Sequence, residues 1–324
     1  MGHVSQDIHL ADTLRKVLGI SPVFAGDFDT SSIEFLKSNG VERIVPLNPD
    51  TENYSLKSLL ESTKPQISVI DVLERDTDSE YMALFRQHSG IVVAITASSQ
   101  PRLIEADLVF AFNVNQKQGS YTELDTPVYY TGPDYFILPP RILKAKLVRT
   151  KTIRKISRVL VVFGGVDPND TALLVARSLT NMPLDVTFIV SPLYRHVDAL
   201  AAYVHRSFIN GRVKQNVDSM APYLQMADLL ICNCGNIAYE GCAVGVPMIT
   251  VNQVVRQEEQ AVTLDSMGCL VNAGMENSLS TERLSSVIKK IIENRKLQVS
   301  MRQRAMETVD GNGLSRITSL IEST

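Results

Sequence analysis

The sequence predicts an α/β protein with two doubly wound domains, and three observations support this prediction. Short apolar segments alternate with amphipathic ones along the whole chain of 324 residues. The most apolar segments lack the alternation of a half-exposed strand, as is typical of buried parallel strands. The chain is also about twice the length of a common domain. Strands separated by helices form parallel sheets that helices cover on both faces.

The first domain is predicted over residues 1–150 and begins with an amphipathic helix. Ile8, Leu14 and Leu18 recur at helical spacing, and Gly19 follows where a helix would end. The next predicted elements are strands at 22–25, 43–45, 67–70, 91–95, 108–111 and 128–130, with helices at 32–37 and 79–86.

The second domain is predicted over residues 151–324 and alternates more regularly. Its predicted strands lie at 159–163, 186–190, around Val213, 229–231 and 247–251, and its helices at 168–179, 197–205, 237–243, 257–266, 281–292 and 313–321. Pro168 suits a first helical turn. The basic segment 141–158 is interpreted as a solvated connection rather than a phosphate site, because it lacks interleaved aromatic residues.

The composition excludes several classes of protein. With 44% hydrophobic and 21% charged residues, the chain is typical of soluble globular proteins. A net charge of −3 provides no field that attracts nucleic acid or anionic lipid. Neither a membrane-spanning run nor a secretory signal is apparent, and four cysteines are too few for a disulfide scaffold. We therefore expect a cytoplasmic protein with no nucleic-acid or membrane partner.

Two loops in the second half have the form of anion-binding turns. Gly164 and Gly165 separate a strand from a helix, and Gly235 with Asn236 does the same before a helix that carries Glu240. Helix N-termini at the carboxyl ends of parallel strands favour phosphate, and a carboxylate can accept hydrogen bonds from ribose hydroxyls. Such turns also need glycine for structural reasons alone. Neither loop has the sequence of a P-loop or a dinucleotide fingerprint, which argues against ATP hydrolysis and NAD.

Other candidate groups favour structural roles. Cys232 and Cys234 have no partner pair elsewhere and are interpreted as buried thiols rather than metal ligands. Glu258 and Glu259 are adjacent on a helix, so their side chains point in different directions and do not form a pair of catalytic acids. We expect both to be solvated. The histidines His88, His196 and His205 are predicted to be surface residues on helices. We expect neither a metal nor a cofactor.

Several short motifs, in order along nearly the whole chain, resemble a known family. They are Gly2-His3-Val4, Glu105-Ala106-Asp107-Leu108, Gly132-Pro133-Asp134-Tyr135, Gly164-Gly165-Val166-Asp167-Pro168, the segment 226–231, Gly235 with Glu240, and Ala243-Val244-Gly245-Val246-Pro247. They resemble GT-B glycosyltransferases, and within that group the UDP-sugar hydrolase of pseudaminic acid biosynthesis and its spore-coat polysaccharide relatives. The resemblance implies a GT-B fold, with two Rossmann-like domains facing across a cleft.

The resemblance also implies roles for individual residues. UDP would bind the second domain, with its pyrophosphate at the helix after Gly235 and its ribose on Glu240. His3 would be the general base that activates water for an inverting attack on the anomeric carbon. Gly164 and Gly165 would lie near the cleft. Gln257, which opens a helix at the carboxyl end of a strand, could reach the sugar.

The chain departs from the family at three places. The arginine three residues after the family's histidine is Gln6 here, and an acidic pair after the fourth strand is Thr96-Ala97. Relatives have a strand and a glycine-rich loop before the Gly-His motif, whereas this chain starts at Met1, so we expect the first strand to be absent. These departures favour UDP-sugar binding over turnover.

The leading hypothesis is an inverting hydrolase of a UDP-linked amino sugar, in nonulosonate or surface-polysaccharide synthesis. An inverting UDP-sugar-dependent glycosyltransferase would use the same donor site and differs in holding an acceptor instead of water. A third hypothesis is a non-catalytic sugar-nucleotide-binding protein, which the departures at Gln6 and Thr96 favour. The sequence does not predict the oligomeric state.

Overall fold

The structure is a computed structural model that describes residues 2–71, 78–96, 105–112, 128–148 and 155–324, apart from the side chains of Gly2 and His3. The chain divides into two compact units, Met1–Pro139 with Gly311–Thr324, and Pro140–Asp310. Every strand pairing in the described residues is parallel, and helices separate most consecutive strands. The predicted fold class, α/β with Rossmann-like domains, is confirmed. None of the described helices is long and apolar enough to cross a membrane.

The first unit contains two parallel sheets. Its elements are α1 (Gly2–Leu18), β1 (Phe24–Gly26), α2 (Thr30–Ser38), β2 (Ile44–Pro46), α3 (Glu52–Thr63), β3 (Ile67–Ile70), α4 (Ser79–His88), β4 (Ile91–Thr96), β5 (Leu108–Ala111) and β6 (Val128–Thr131). Strands β1 and β2 form a pair, and β3 to β6 form a sheet in sequential order. Strand β4, which the unbroken apolar segment at 91–95 predicts to be buried, is buried from Val92 to Thr96. Gly19 ends α1 with φ +68, as expected of a C-terminal glycine.

The second unit contains one parallel sheet of six strands. Its elements are α5 (Pro140–Val148), β7 (Arg158–Phe163), α6 (Thr171–Leu179), β8 (Asp185–Val190), α7 (Val197–Ser207), β9 (Gly211–Gln215), α8 (Ala221–Met226), β10 (Leu229–Cys232), α9 (Asn236–Val244), β11 (Met248–Asn252), α10 (Val255–Ser266), β12 (Val271–Met275), α11 (Thr281–Glu293) and α12 (Arg295–Thr308). The last helix of the chain, α13 (Gly313–Ser323), belongs to the first unit.

The strand order of the second sheet fixes where a ligand can enter. The order is β12-β11-β10-β7-β8-β9. The strands β7, β8 and β9 therefore form one half of the sheet, and the chain then returns to the centre, where β10, β11 and β12 form the other half. This is the order of a Rossmann sheet, and its switch point lies between β7 and β10. Loops at the carboxyl ends of these two strands diverge to opposite sides, which leaves a crevice.

The two units differ from the predicted domains, 1–150 and 151–324. The second unit begins earlier than the predicted second domain, at Pro140, and ends earlier, at Asp310. Helix α5 packs against α8 and α9, and its Lys146 donates a hydrogen bond to the carbonyl of Asp310 at 2.6 Å. Helix α13 instead packs against α1 and the turn at Pro133–Tyr135. A Cβ atom at Gly313 would lie 2.3 Å from the carbonyl oxygen of Phe136, so this close approach requires glycine.

Part of the basic segment 141–158 has a structural role that its composition does not reveal. Arg158 forms an ion pair with the buried Asp228 at 3.0 Å, and the amide groups of Ser157 and Arg158 donate to the same carboxylate. Burial would raise the pKa of Asp228, but these hydrogen bonds hold it below its ordinary value. The pair joins the amino ends of β7 and β10. Residues 149–154 of the segment lie outside the described residues.

Candidate functional site

Both predicted glycine loops start at the switch point of the second unit. Strands β7 and β10 pair in parallel, with Val162 beside Cys232, so the loop after one strand starts next to the turn after the other. Gly164 and Gly165 follow β7 directly, and Gly235 follows β10. The sheet topology therefore brings two turns that are 70 residues apart in sequence to adjacent strands at the edge where ligands bind.

The turn after β7 exposes its backbone. Gly164 and Gly165 are both exposed, and a Cβ atom added at either position would meet no atom within 4 Å. Gly165 has φ +70, a conformation that favours glycine. A phosphate can therefore approach the main chain here without displacing a side chain.

The N-terminus of α9 is open as well. Gly235 is its N-cap residue, and no side chain makes a capping hydrogen bond to the helix. The nearest atom to a Cβ added at Gly235 would be Oδ1 of Asn233, at 4.0 Å. The amide of Ala238 donates to the carbonyl of Gly235 at 2.9 Å, whereas the described residues offer no partner to the amides of Asn236 and Ile237. These two amides remain available to an anion at the positive end of the helix dipole. Asn236, the first helical residue, is half-buried beside them.

Glu240 lies on the same face of α9 as Asn236, one turn further along. The residue is half-buried, and the described residues offer its carboxyl group no hydrogen bond or ion pair. Burial without a compensating partner raises the pKa of Glu240 to about 7. An unpartnered carboxyl group beside an open helix N-terminus is suited to accept hydrogen bonds from a ligand.

A buried polar network holds these turns in place. Asp167 accepts hydrogen bonds from the amides of Thr171 and Ala172, at 2.9 and 3.0 Å, and from the side chain of Gln253 at 2.6 Å. The amide oxygen of Gln253 accepts in turn from Asn233 at 3.1 Å. The loop after β7 is thereby tied to the loops after β10 and β11. This network also explains the start of α6, because Asp167 binds its first amides and the helix begins at Thr171 rather than at the predicted Pro168.

A second group of hydrogen bonds supports the turn before Gly235. Asn252 accepts a hydrogen bond from the amide of Cys234 at 3.0 Å and donates to Glu258 at 2.8 Å. Glu258 also accepts from Asn272 at 2.9 Å. The prediction that Glu258 is merely solvated is therefore wrong, because α10 places its carboxylate against two buried or half-buried amides. Glu259, its neighbour, is exposed as predicted.

Sequence reasoning missed most of this network. The signal that was present is positional: Asn233, Asn252 and Gln253 all lie at or just after the carboxyl end of a strand. Amide side chains at these positions can join one loop to the next, since they donate and accept at once.

Gln257 has a structural contact that bears on its predicted role. Its Oε1 atom accepts a hydrogen bond from the amide of Gln253 at 2.8 Å, which closes the loop before α10. The side chain is half-buried. Its contact with a sugar stays a prediction, and the amide nitrogen is the atom that would make it.

The predicted base, His3, lies in the first turn of α1, and its side chain is outside the described part of the structure. The departures from the family can be placed more closely. Gln6 is buried and donates a hydrogen bond to the carbonyl of Ile137 at 3.1 Å. Thr96 is buried at the end of β4, and Ala97 lies outside the described residues.

Asp7 and Asp71 form a carboxyl pair in the first unit that the sequence did not predict. Burial raises the pKa of Asp7 well above its ordinary value, and a side-chain hydrogen bond with Asp71 and the repulsion of its charge add to the effect. Oδ1 of Asp7 is buried and has no hydrogen-bond partner among the described residues. Asp71 follows β3 directly, so the pair joins α1 to the carboxyl end of that strand.

Replacing Asp7 by asparagine should stabilise the protein at neutral and alkaline pH. A raised pKa in the folded state means that the contribution of Asp7 is fully present below its unfolded pKa and is lost as the pH rises through its folded pKa. Each tenfold difference in proton affinity between the folded and unfolded states corresponds to about 1.4 kcal/mol. Calorimetry should show a higher Tm for Asp7→Asn at pH 8 and little difference at pH 4. The exposed Asp27→Asn variant is the control, and an equal or lower Tm for Asp7→Asn at pH 8 would contradict the prediction.

The thiols are buried, as predicted. Cys232 and Cys234 are free and fully buried, and burial raises the pKa of Cys234 to about 12. Such a thiol is protonated and inert at neutral pH. Within the described residues, no three histidine, cysteine, aspartate or glutamate side chains are grouped so that they could hold a metal ion.

A groove lies further along the same edge of the sheet, at the carboxyl end of β9. Its volume is about 630 Å³, and Arg141, Lys214, Asp218 and Tyr223 are among the residues that line it. The ammonium group of Lys214 lies 5.4 Å from the centre of the Tyr223 ring. Three strand spacings, about 14 Å, separate β9 from β10.

Comparisons with known proteins agree with this geometry. Residues 159–316 match the model of the glycosyltransferase family 28 C-terminal domain. This range contains the switch point, both glycine turns and Glu240. Over 99% of its length the chain is 24% identical to the spore coat polysaccharide biosynthesis protein SpsG of Bacillus subtilis (strain 168), and the match covers 94% of that protein.

Solved structures share the fold at low sequence identity. MurG of Acinetobacter baumannii superimposes with a TM-score of 0.72 at 16% identity, covering all of this chain and 96% of that one. LpCGTa in complex with UDP gives a TM-score of 0.70 at 14% identity, covering 99% of this chain and 96% of the other. The chain therefore has a glycosyltransferase-like GT-B fold. A relation to spore-coat polysaccharide proteins is supported, whereas the finer resemblance to the pseudaminic acid hydrolase stays a prediction.

Proposed function

We propose that this protein is a UDP-sugar-dependent glycosyltransferase of the inverting type that acts in the synthesis of a surface polysaccharide. The observation that carries the proposal is the uncapped N-terminus of α9 at the switch point, with the unpartnered carboxyl group of Glu240 one turn below it. The match of residues 159–316 to a glycosyltransferase domain supports transfer over the hydrolysis that the sequence resemblance favoured. The similarity to SpsG supports a polysaccharide pathway.

In this proposal the diphosphate of the donor lies against the N-terminus of α9 and the open backbone at Gly164 and Gly165. Amide donors and the helix dipole stabilise negative charge, and this charge grows on the diphosphate as it leaves. Glu240 accepts hydrogen bonds from the ribose hydroxyls.

The transfer step needs no covalent enzyme intermediate. The acceptor hydroxyl oxygen forms a bond to the anomeric carbon while the bond from that carbon to the diphosphate oxygen breaks, which inverts the configuration. The hydroxyl proton passes to a general base, for which His3 is the candidate. Gln257 is the candidate contact for the donor sugar. Hydrolysis is the same displacement with water as the acceptor.

The test is release of UDP from a panel of UDP-amino sugars, with and without soluble amino-sugar acceptors, followed by NMR of the product anomer. Release that depends on the acceptor and gives an inverted product would support transfer. Equal release without acceptor would overturn transfer in favour of the hydrolase. Binding of UDP without any release would favour the non-catalytic binding protein, and failure to bind UDP would overturn the proposal as a whole.

A further inference from the structure

Three side chains from two loops form a cluster beside the glycine turn after β7. Asp170 closes that loop, and Tyr194 and His196 lie in the loop after β8. The Tyr194 hydroxyl donates to Oδ1 of Asp170 at 2.9 Å, and Nδ1 of His196 lies 2.7 Å from the same oxygen. The two rings have their centres 6.0 Å apart. His196 is a surface residue, as predicted, but it precedes α7 instead of lying on the helix, and a carboxylate holds its ring.

The backbone conformation of Asp170 is energetically unfavourable. The residue is the N-cap of α6 with φ +55, a conformation that residues other than glycine rarely adopt. An N-cap aspartate usually binds the first helical amides, yet this side chain makes no capping hydrogen bond. Its carboxylate is used instead to hold Tyr194 and His196. The amide of Asp170 is itself anchored on the carbonyl of Asp167 at 3.2 Å.

This arrangement fixes which nitrogen of His196 is available. With Nδ1 bonded to the carboxylate, that nitrogen carries the proton and Nε2 points away from Asp170. The His196 side chain is 57% exposed. Because β8 lies between β7 and β9, the loop that carries His196 stands between the open turn at Gly165 and the groove at the end of β9.

We propose that His196, oriented by Asp170, is a binding residue for the diphosphate of the nucleotide. In its imidazolium form it donates a charge-assisted hydrogen bond from Nε2 to a non-bridging phosphate oxygen. The inference rests on the proposed function, because it assumes that a nucleoside diphosphate lies across this edge of the sheet. It adds a side-chain donor to a site whose other donors are backbone amides.

The charges around His196 favour this role. Asp170 is the carboxylate in direct contact, and Tyr194 stays neutral because burial and its hydrogen bond to Asp170 raise its pKa. Asp167 lies behind Tyr194 and is occupied by amide donors. Arg195 and Asp198 are the charged neighbours along the chain, and both are exposed. An imidazolium that lies between the carboxylate of Asp170 and a phosphate is attracted by both.

The test compares UDP affinity of the full chain and of His196→Gln at pH 6 by calorimetry. Glutamine can still donate to Asp170, so it removes the charge with little change in packing. We expect His196→Gln to bind UDP about tenfold more weakly than the unmodified protein, equivalent to about 1.4 kcal/mol. Taking the ratio of the two affinities at one pH cancels the titration of UDP itself and of Glu240.

The control is His205→Gln, an exposed histidine of α7 in the same unit, which should leave the affinity unchanged. No loss of UDP affinity in His196→Gln, or an equal loss in His205→Gln, would overturn the assignment of His196. So would a lower Tm for His196→Gln with unchanged UDP binding, because that result indicates a structural role. If the unmodified protein does not bind UDP, the proposed function fails and His196 fails with it.

Discussion

Glu240→Gln is expected to weaken UDP binding by about 10- to 100-fold at pH 8. Hydrogen bonds to a charged group contribute about 1.5–3 kcal/mol, and each 1.4 kcal/mol is a factor of ten in affinity. Glutamine keeps the shape of the side chain but replaces the charged acceptor by a neutral one. Titration calorimetry with UDP measures the difference directly.

The pH dependence of this effect follows from the raised pKa of Glu240. Below pH 7 the carboxyl group is protonated and is a weaker acceptor, and above pH 7 it is ionised. The loss caused by Glu240→Gln should therefore be large at pH 8 and small at pH 6. The two variants together separate the ribose contact from the diphosphate contact.

Matched controls distinguish binding from folding. Burial disfavours the ionised form of Glu240. The Tm of Glu240→Gln at pH 8 should therefore equal or exceed that of the unmodified protein. The exposed Glu259→Gln on α10 removes the same charge from the same unit and should bind UDP normally. If Glu240→Gln and Glu259→Gln bind UDP equally well, Glu240 is not the ribose contact.

Asp167→Asn is expected to destabilise the second unit by about 3–5 kcal/mol. The buried carboxylate accepts three hydrogen bonds, and the amide group of asparagine would turn one acceptor into a donor that faces other donors. Asp167 has φ +41, which asparagine tolerates better than alanine does, so this variant isolates the hydrogen bonds from backbone strain.

For a unit of this size, the Asp167→Asn loss corresponds to a fall in Tm of roughly 10 °C, at about 2–4 °C per kcal/mol. The exposed Asp198→Asn should change the Tm by no more than about 2 °C. UDP binding measured well below the transition should also weaken, since Gln253 and Asn233 lose the anchor that holds their loops. A Tm for Asp167→Asn equal to that of Asp198→Asn would show that the network does not stabilise the unit.

The sequence was sufficient to predict the strands that place the site. Strand β3 and strand β5 have the predicted bounds, and β7 and β10 differ from them by one residue, because unbroken apolar segments of this length are a strong local signal. The helices α3, α5, α8 and α12 and the strand β12 were missed. In α12 the buried face includes Gln298 and Arg302, so the apolar periodicity that reveals a helix is interrupted.

Contacts between distant segments account for what could not be predicted at the site. Asp167 and Gln253 are 86 residues apart, and nothing local to either one indicates their hydrogen bond. The same holds for Asp170 and His196, which come together because β7 and β8 are neighbours in the sheet. The glycine turns and Glu240 could be singled out because their chemistry is local to one strand, one turn and one helix.

The return of α13 to the first unit makes the chain between Pro140 and Asp310 an insertion within another folded body. Its two ends meet at the hydrogen bond between Lys146 and the carbonyl of Asp310. A segment whose ends are neighbours can be excised as one uninterrupted polypeptide, whereas its host would have to be rejoined from two pieces. A single proteolytic cut at either junction would consequently leave the two bodies tethered by the other.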